Sequence, residues 1–122
     1  FGLLGHLRTI LNASGAGAEL WLERIPLMDG VLDLIADGCF PGGTGRNLTY
    51  AETFTQFAAD ISREERVALA DAQTSGGLLI AVPQARKAAL LNALRRAKTL
   101  AAAEIGKIAR GAKSRVKVTR AV

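Results

Sequence analysis

The stretch that most limits what this chain can fold into is Asp71-Ala72-Gln73-Thr74-Ser75-Gly76-Gly77-Leu78-Leu79-Ile80-Ala81-Val82. Its first half is polar and small and ends on a glycine pair. Its second half is an unbroken apolar run closed by Pro83. Such a run, between turn residues and a proline, predicts a strand buried on both faces. The polar half then stands at the entrance to a sheet, where backbone N–H groups and short hydroxyls can face a ligand. Gly76 and Gly77 permit positive φ and close approach of another group. The same residues also describe a plain tight loop feeding a core strand. Nothing inside the stretch separates the two readings.

Two other segments bear on the choice. Phe1-Gly2-Leu3-Leu4-Gly5-His6 opens the chain, and Pro41-Gly42-Gly43-Thr44-Gly45-Arg46-Asn47 lies between it and the central stretch. Taken in order, F-G-L-L-G-H, P-G-G-T-x-R-N and D-x-Q-T-S-G-G-L-L resemble the signatures of the C-terminal domain of selenophosphate synthetase (selenide, water dikinase). That enzyme belongs to the aminoimidazole-ribonucleotide-synthetase-like superfamily. The resemblance spans nearly the whole chain. Ala72 departs from it, standing where the family usually has proline.

With 122 residues, 49% of them hydrophobic, the chain can bury one ordinary core, and residues 1–122 are expected to form a single domain. Because it begins with Phe1 and its only methionine is Met28, the expectation is a piece of a longer protein, and the resemblance implies that the piece is a C-terminal fragment. The one cysteine, Cys39, cannot form an internal disulfide, which suits a reducing cytosol and a cytoplasmic location. Cys39 reads as a small buried residue, since the only histidine, His6, is remote in sequence. His6 itself reads as a structural residue at the edge of a helix stripe. No apolar run approaches the ~20 residues that a membrane-spanning helix needs, so no membrane partner is expected.

Charge divides the chain. Residues 1–83 carry five basic against ten acidic side chains, and residues 84–122 carry eleven against one. A basic third can be a footprint for nucleic acid or another acidic partner. It has no interleaved aromatics, since all of them precede residue 58, so stacking on single-stranded bases is not expected.

Along the chain, Leu3, Leu4, Leu7, Ile10 and Leu11 fall at helical spacing and predict a helix over Gly2–Ser14. Gly2 and Gly5, poor helix formers, imply close packing or a ligand near its start. Alternation predicts a strand over Ala18–Ile25, and a helix follows from about Asp29 to Asp37. Cys39–Asn47 reads as a glycine-rich loop able to present N–H groups to an anion. Thr49–Ile61 reads as a loose turn or short helix. Ser62-Arg63-Glu64-Glu65 is a capping box that starts a helix over Arg63–Ala70. Asp71 is a candidate magnesium- or phosphate-site residue, or simply the residue that fixes a turn. Gln84–Lys98 predicts a helix with Leu90, Leu91, Leu94 and Ala97 as a buried stripe. Strands are predicted at about Ala103–Arg110 and Arg115–Thr119, joined as a closing hairpin through Gly111-Ala112-Lys113.

This order favours an α+β fold, with helices packed on one face of a mixed β-sheet. The resemblance implies the same architecture. It further implies a reaction of ATP, selenide and water giving selenophosphate, AMP and phosphate, with Mg2+. ATP and Mg2+ would both require an N-terminal ATP-binding domain absent from this chain, and the full-length protein would form a homodimer. On this reading the chain is one wall of the ATP cleft and not catalytic alone, with no catalytic and no metal-ligating residue of its own. Its cofactor-facing candidates are Gly42, Gly43, Thr44 and Asn47 in one segment, and Asp71, Gln73, Thr74, Ser75, Gly76 and Gly77 in the other. The rival readings are a binding module whose basic third contacts RNA or an acidic partner, and a hydrogenase-maturation or thiamine-phosphate kinase relative.

Overall fold

The computed structural model describes residues 1–111 and 113–121. Helix α1 spans Gly2–Ser14, as predicted, and ends on Gly15 in the left-handed conformation that glycine adopts without penalty. Strand β1, Gly17–Trp21, is shorter than its alternation suggested, because the chain turns into a 3-10 turn at Leu22–Arg24. Then come α2 (Val31–Ala36), α3 (Gly42–Glu52), β2 (Thr55–Phe57), α4 (Arg63–Ala70), α5 (Gln84–Arg96), β3 (Gly106–Ala109) and β4 (Val116–Thr119).

The four strands form one mixed sheet in the order β2-β4-β1-β3. β4 runs parallel to both β1 and β2, and β1 pairs antiparallel with β3. The register places Ala18 beside Val116 and Leu20 beside Val118 on one face. Onto that face pack Leu4, Leu7 and Leu11 of α1, Ala51 of α3 and Leu69 of α4, all buried. A smaller core joins Ile35 of α2 to Val67 and Ala68 of α4, with Phe40 and Leu48 against it. The other face is polar. There Glu19 pairs with Lys107 at 3.4 Å and accepts a bond from Trp21 Nε1, which holds its carboxyl below the usual range. The architecture is therefore the α+β class expected.

Several local expectations are overturned. The segment read as a loop over Cys39–Asn47 becomes helix from Gly42 onward, because Pro41 sets the chain direction and the apolar contacts of Leu48 and Ala51 outweigh three glycines. Thr55–Phe57 is a strand where a turn or short helix was expected, since β4 offers it a parallel partner. The closing hairpin does not form: β1 lies between β3 and β4. Of its turn, Ala112 lies outside the described residues.

The run Leu78–Val82 is not a strand, and Leu78 is 90% exposed. Only Leu79 packs on the main core, and no neighbouring strand supplies the ladder that a strand needs. Helix α5 has no buried residue, so Leu90, Leu91 and Leu94 are only half-buried and Ala97 is exposed. Cys39, expected inside, is exposed.

Candidate functional site

The C-terminal end of α4 is where the three signature segments meet. Ala70 ends the helix and is fully buried. Gly2, the first residue of α1, lies against it. A Cβ on Gly2 would stand 2.5 Å from the Ala70 carbonyl carbon, and its φ of 69° is one that side chains resist. Of the two meanings the sequence left open for the glycines of α1, close packing is the one observed here.

Helix α3 reaches the same point from the other side. Asn47 Nδ2 donates to the Ala70 carbonyl at 3.1 Å. One turn earlier, Thr44 Oγ1 donates to Asp71 Oδ1 at 2.7 Å and accepts from the Ala72 N–H at 3.2 Å. Thr44 is 0% exposed, so the hydroxyl is satisfied in both directions away from water. Asp71 thus fixes its turn through a residue 27 positions earlier. Its carboxylate accepts from α3, while its carbonyl accepts from the Gln73 N–H at 3.0 Å.

Thr44, Asn47 and Asp71 are therefore brought together, and they hold the two segments to each other. Gly42 and Gly43 occupy the first turn of α3. Pro41 has no side chain able to cap it, so the early N–H groups of that helix lack a side-chain acceptor. Beyond Asp71, Gln73, Thr74, Ser75, Gly76 and Gly77 run as an exposed loop. Ser75 adopts a left-handed φ of 52°, rare for a residue with a side chain. Gly76 lies under the Gln73 side chain: a Cβ there would meet Gln73 Oε1 at 2.9 Å. The direct hydrogen bonds between the segments end at Ala72, and the tip of the loop makes none to α3.

Arg46 was not among the sequence candidates. Its Nη1 and Nη2 atoms lie 3.7 and 3.8 Å from where Cβ atoms on Gly42 and Gly43 would stand. A cation thus sits beside the open start of α3. Its place inside the P-G-G-T-x-R-N segment was the available signal. The Ala70 carbonyl, the acceptor for Asn47, had none, because backbone acceptors leave no mark in a sequence. His6 is exposed, with its ring edge-on to Phe1 at 6.3 Å. Among the described residues, no three His, Cys, Asp or Glu side chains are grouped to hold a metal ion.

The joining of these segments on a helix-backed mixed sheet agrees with comparison to known proteins. Residues 1–119 match the family described as AIR synthase related protein, C-terminal domain, and the chain belongs to that family. Within it, the chain is similar to proteins named selenide, water dikinase. That of Carboxydothermus hydrogenoformans is 44% identical over 120 residues, 98% of this chain and 34% of its own length. That of Cronobacter sakazakii is 41% identical over 97% of this chain and 33% of its own length. That of Haemophilus influenzae is 48% identical over 67% of this chain and 23% of its own length. The chain thus spans about a third or less of the curated relatives that it matches.

Proposed function

We propose that this chain is the C-terminal part of a selenophosphate synthetase and supplies one wall of its ATP cleft. The reaction would convert ATP, selenide and water to selenophosphate, AMP and phosphate. The observation that carries the reading is the Thr44–Asp71 bond, which locks the glycine-rich start of α3 to the head of the Asp71–Gly77 loop.

Phosphoryl transfer asks a protein chiefly for positioning and for donors aimed at phosphate oxygens. The start of α3 offers such donors: the N–H groups of Gly42 and Gly43 at the positive end of an 11-residue helix, with the Arg46 guanidinium alongside. The loop adds the hydroxyls of Thr74 and Ser75 and the open backbone of Gly77. Thr44, Asn47 and Asp71 have a positioning role: Thr44 Oγ1 and Asp71 Oδ1 bond each other, Thr44 Oγ1 also accepts from the Ala72 N–H, and Asn47 Nδ2 donates to the Ala70 carbonyl. The donor set fits phosphate. The remaining two thirds of the relatives' length would supply the metal site and the reacting groups.

The isolated chain should hydrolyse no ATP in the presence of selenide; measurable turnover would show that the reacting groups lie here after all. In the full-length protein, Asp71→Ala should lower kcat far more than it lowers Tm, and unchanged kinetics would return the junction to a purely structural role.

The rival reading, RNA or an acidic partner on the basic third, loses three of that third's eleven bases to ion pairs. Lys107 pairs with Glu19, Arg120 with Asp60 and Glu65, and Lys87 with Glu104. Retention of tRNA that falls steeply with salt would revive it.

A further inference from the structure

The sheet ends at β3, and its core face is unfinished there. The register of β1 with β3 sets Ile108 beside Ala18, on the face that carries the main core. Ala18 is 5% exposed and Ile108 51%. The backbone of that edge is open as well. Trp21 N–H donates to the Ile105 carbonyl at 2.9 Å, and hydrogen-bonded pairs alternate in an antiparallel ladder, so the backbone groups of Gly106 and Ile108 point away from β1. Ala18 agrees: its N–H turns to the opposite side and donates to the Arg115 carbonyl at 2.9 Å. Among the described residues, no backbone bond takes the outward groups of Gly106 and Ile108. Such an edge is a template for another strand.

The chain holds a segment that fits this edge. Leu78–Val82 is apolar at all five positions, the pattern of a strand covered on both faces, and it has no ladder of its own. Leu79 already packs on the main core, the side of the sheet that Ile108 shares. A direction follows from α5. Lys87, in its first turn, pairs at 2.8 Å with Glu104, two residues before β3. The end of the run is thereby kept on the side where β3 begins. A run parallel to β3 would carry that first turn to the far end of the strand, about 13 Å away. The antiparallel direction is the one that the ion pair permits.

We propose that Leu78–Val82 is a strap that closes onto the outer edge of β3 as a fifth, antiparallel strand. Closed, it gives the outward groups of Gly106 and Ile108 their partners. Leu79 and Ala81 then share the core face with Ile108, because side chains alternate along a strand. Leu78, Ile80 and Val82 take the other face, where the half-buried Leu90, Leu91 and Leu94 of α5 can cover them. The Asp71–Gly77 loop gains a second anchor. Thr44 holds its Asp71 end, and the closed strap holds its Gly77 end. This inference does not depend on the proposed function.

The test is disulfide trapping in the 122-residue chain carrying Cys39→Ser, so that the two introduced thiols are the only ones. Ile108→Cys is combined in turn with Leu78→Cys, Leu79→Cys, Ile80→Cys and Ala81→Cys, and bond formation with oxidised glutathione is followed by mass. A disulfide needs Cα atoms about 4.4–6.8 Å apart and side chains that face each other. Closure therefore predicts bonds within the chain at 79 or 81 that form at least about tenfold faster than at 78 and 80, a period of two that random collision does not give. Equal rates at all four positions, a preference for 78 and 80, or no bond within the chain would overturn the proposal. So would a bond between two chains in its place, which would show that the edge takes a second copy. Should Leu79→Cys fail to fold, Ala81→Cys against Ile80→Cys decides alone.

Discussion

Thr44 is the residue on which the site's geometry turns. Its hydroxyl gives one bond and takes one, both across a distance that no local pattern spans. Thr44→Val keeps the shape and removes both bonds, leaving the Asp71 carboxylate and the Ala72 N–H unpaired. Such a loss costs about 1–3 kcal/mol, which chemical denaturation will register as a lower midpoint at unchanged slope. Gly2 makes a second prediction of a different kind. Gly2→Ala forces a Cβ into the Ala70 backbone at a φ hostile to side chains, so a loss of at least about 2 kcal/mol is expected. A variant as stable as the parent would show that α1 and α4 do not meet there. The sequence shows part of this: Gly2 implies close packing or a nearby ligand, of which close packing is found, whereas Thr44 is only one member of a motif. What the threonine touches depends on how α3 and α4 cross.

Among the elements, α4 was the most legible. Ser62 and Glu65 lie three residues apart, so both halves of the capping box are local, and both form: Ser62 N–H donates to Glu65 at 2.8 Å and Glu65 N–H to Ser62 at 3.2 Å. Ser62→Ala should cost about 1 kcal/mol in thermal or chemical unfolding. Arg120, beyond β4, reaches the same Glu65 carboxylate with two nitrogens, at 3.0 and 3.1 Å. This bond foremost, with help from the Ser62 N–H, lowers the Glu65 pKa from its ordinary value of 4.5. A carboxyl depressed on folding adds stability above its unfolded value and loses it as pH falls through the folded value. Acid unfolding of the parent should therefore steepen below pH 4.5, and Arg120→Ala should flatten that dependence. An identical acid profile in the variant would show that the pair contributes nothing.

The less legible elements failed for physical reasons. β2 has three residues and takes its identity from a partner some sixty positions later. α3 was hidden by glycines whose low propensity is outweighed by packing. The Leu78–Val82 run had every local mark of a strand, yet a strand exists only where another offers it hydrogen bonds.

At the scale of the whole molecule, the charge division acquires a structural meaning. The basic strands β3 and β4 return to the acidic first two thirds, and Lys107 and Arg120 fasten them there. Exposed pairs of this kind contribute little each, so moderate salt should leave Tm nearly unchanged. A fall of many degrees would contradict that. The same return path seats β4 between β1 and β2 and so completes the platform on which α1, α3 and α4 converge at Ala70. That convergence was half-visible in the sequence: the segments were identifiable, but their junction was not.

If the start of α3 and the Asp71–Gly77 loop form one phosphate-facing wall, bound nucleotide will shield both segments. Hydrogen exchange on the full-length protein, with and without a non-hydrolysable ATP analogue, tests it most directly. The prediction is that bound nucleotide slows exchange in residues 42–47 and 71–77 together; protection of neither segment, or of one without the other, would contradict it.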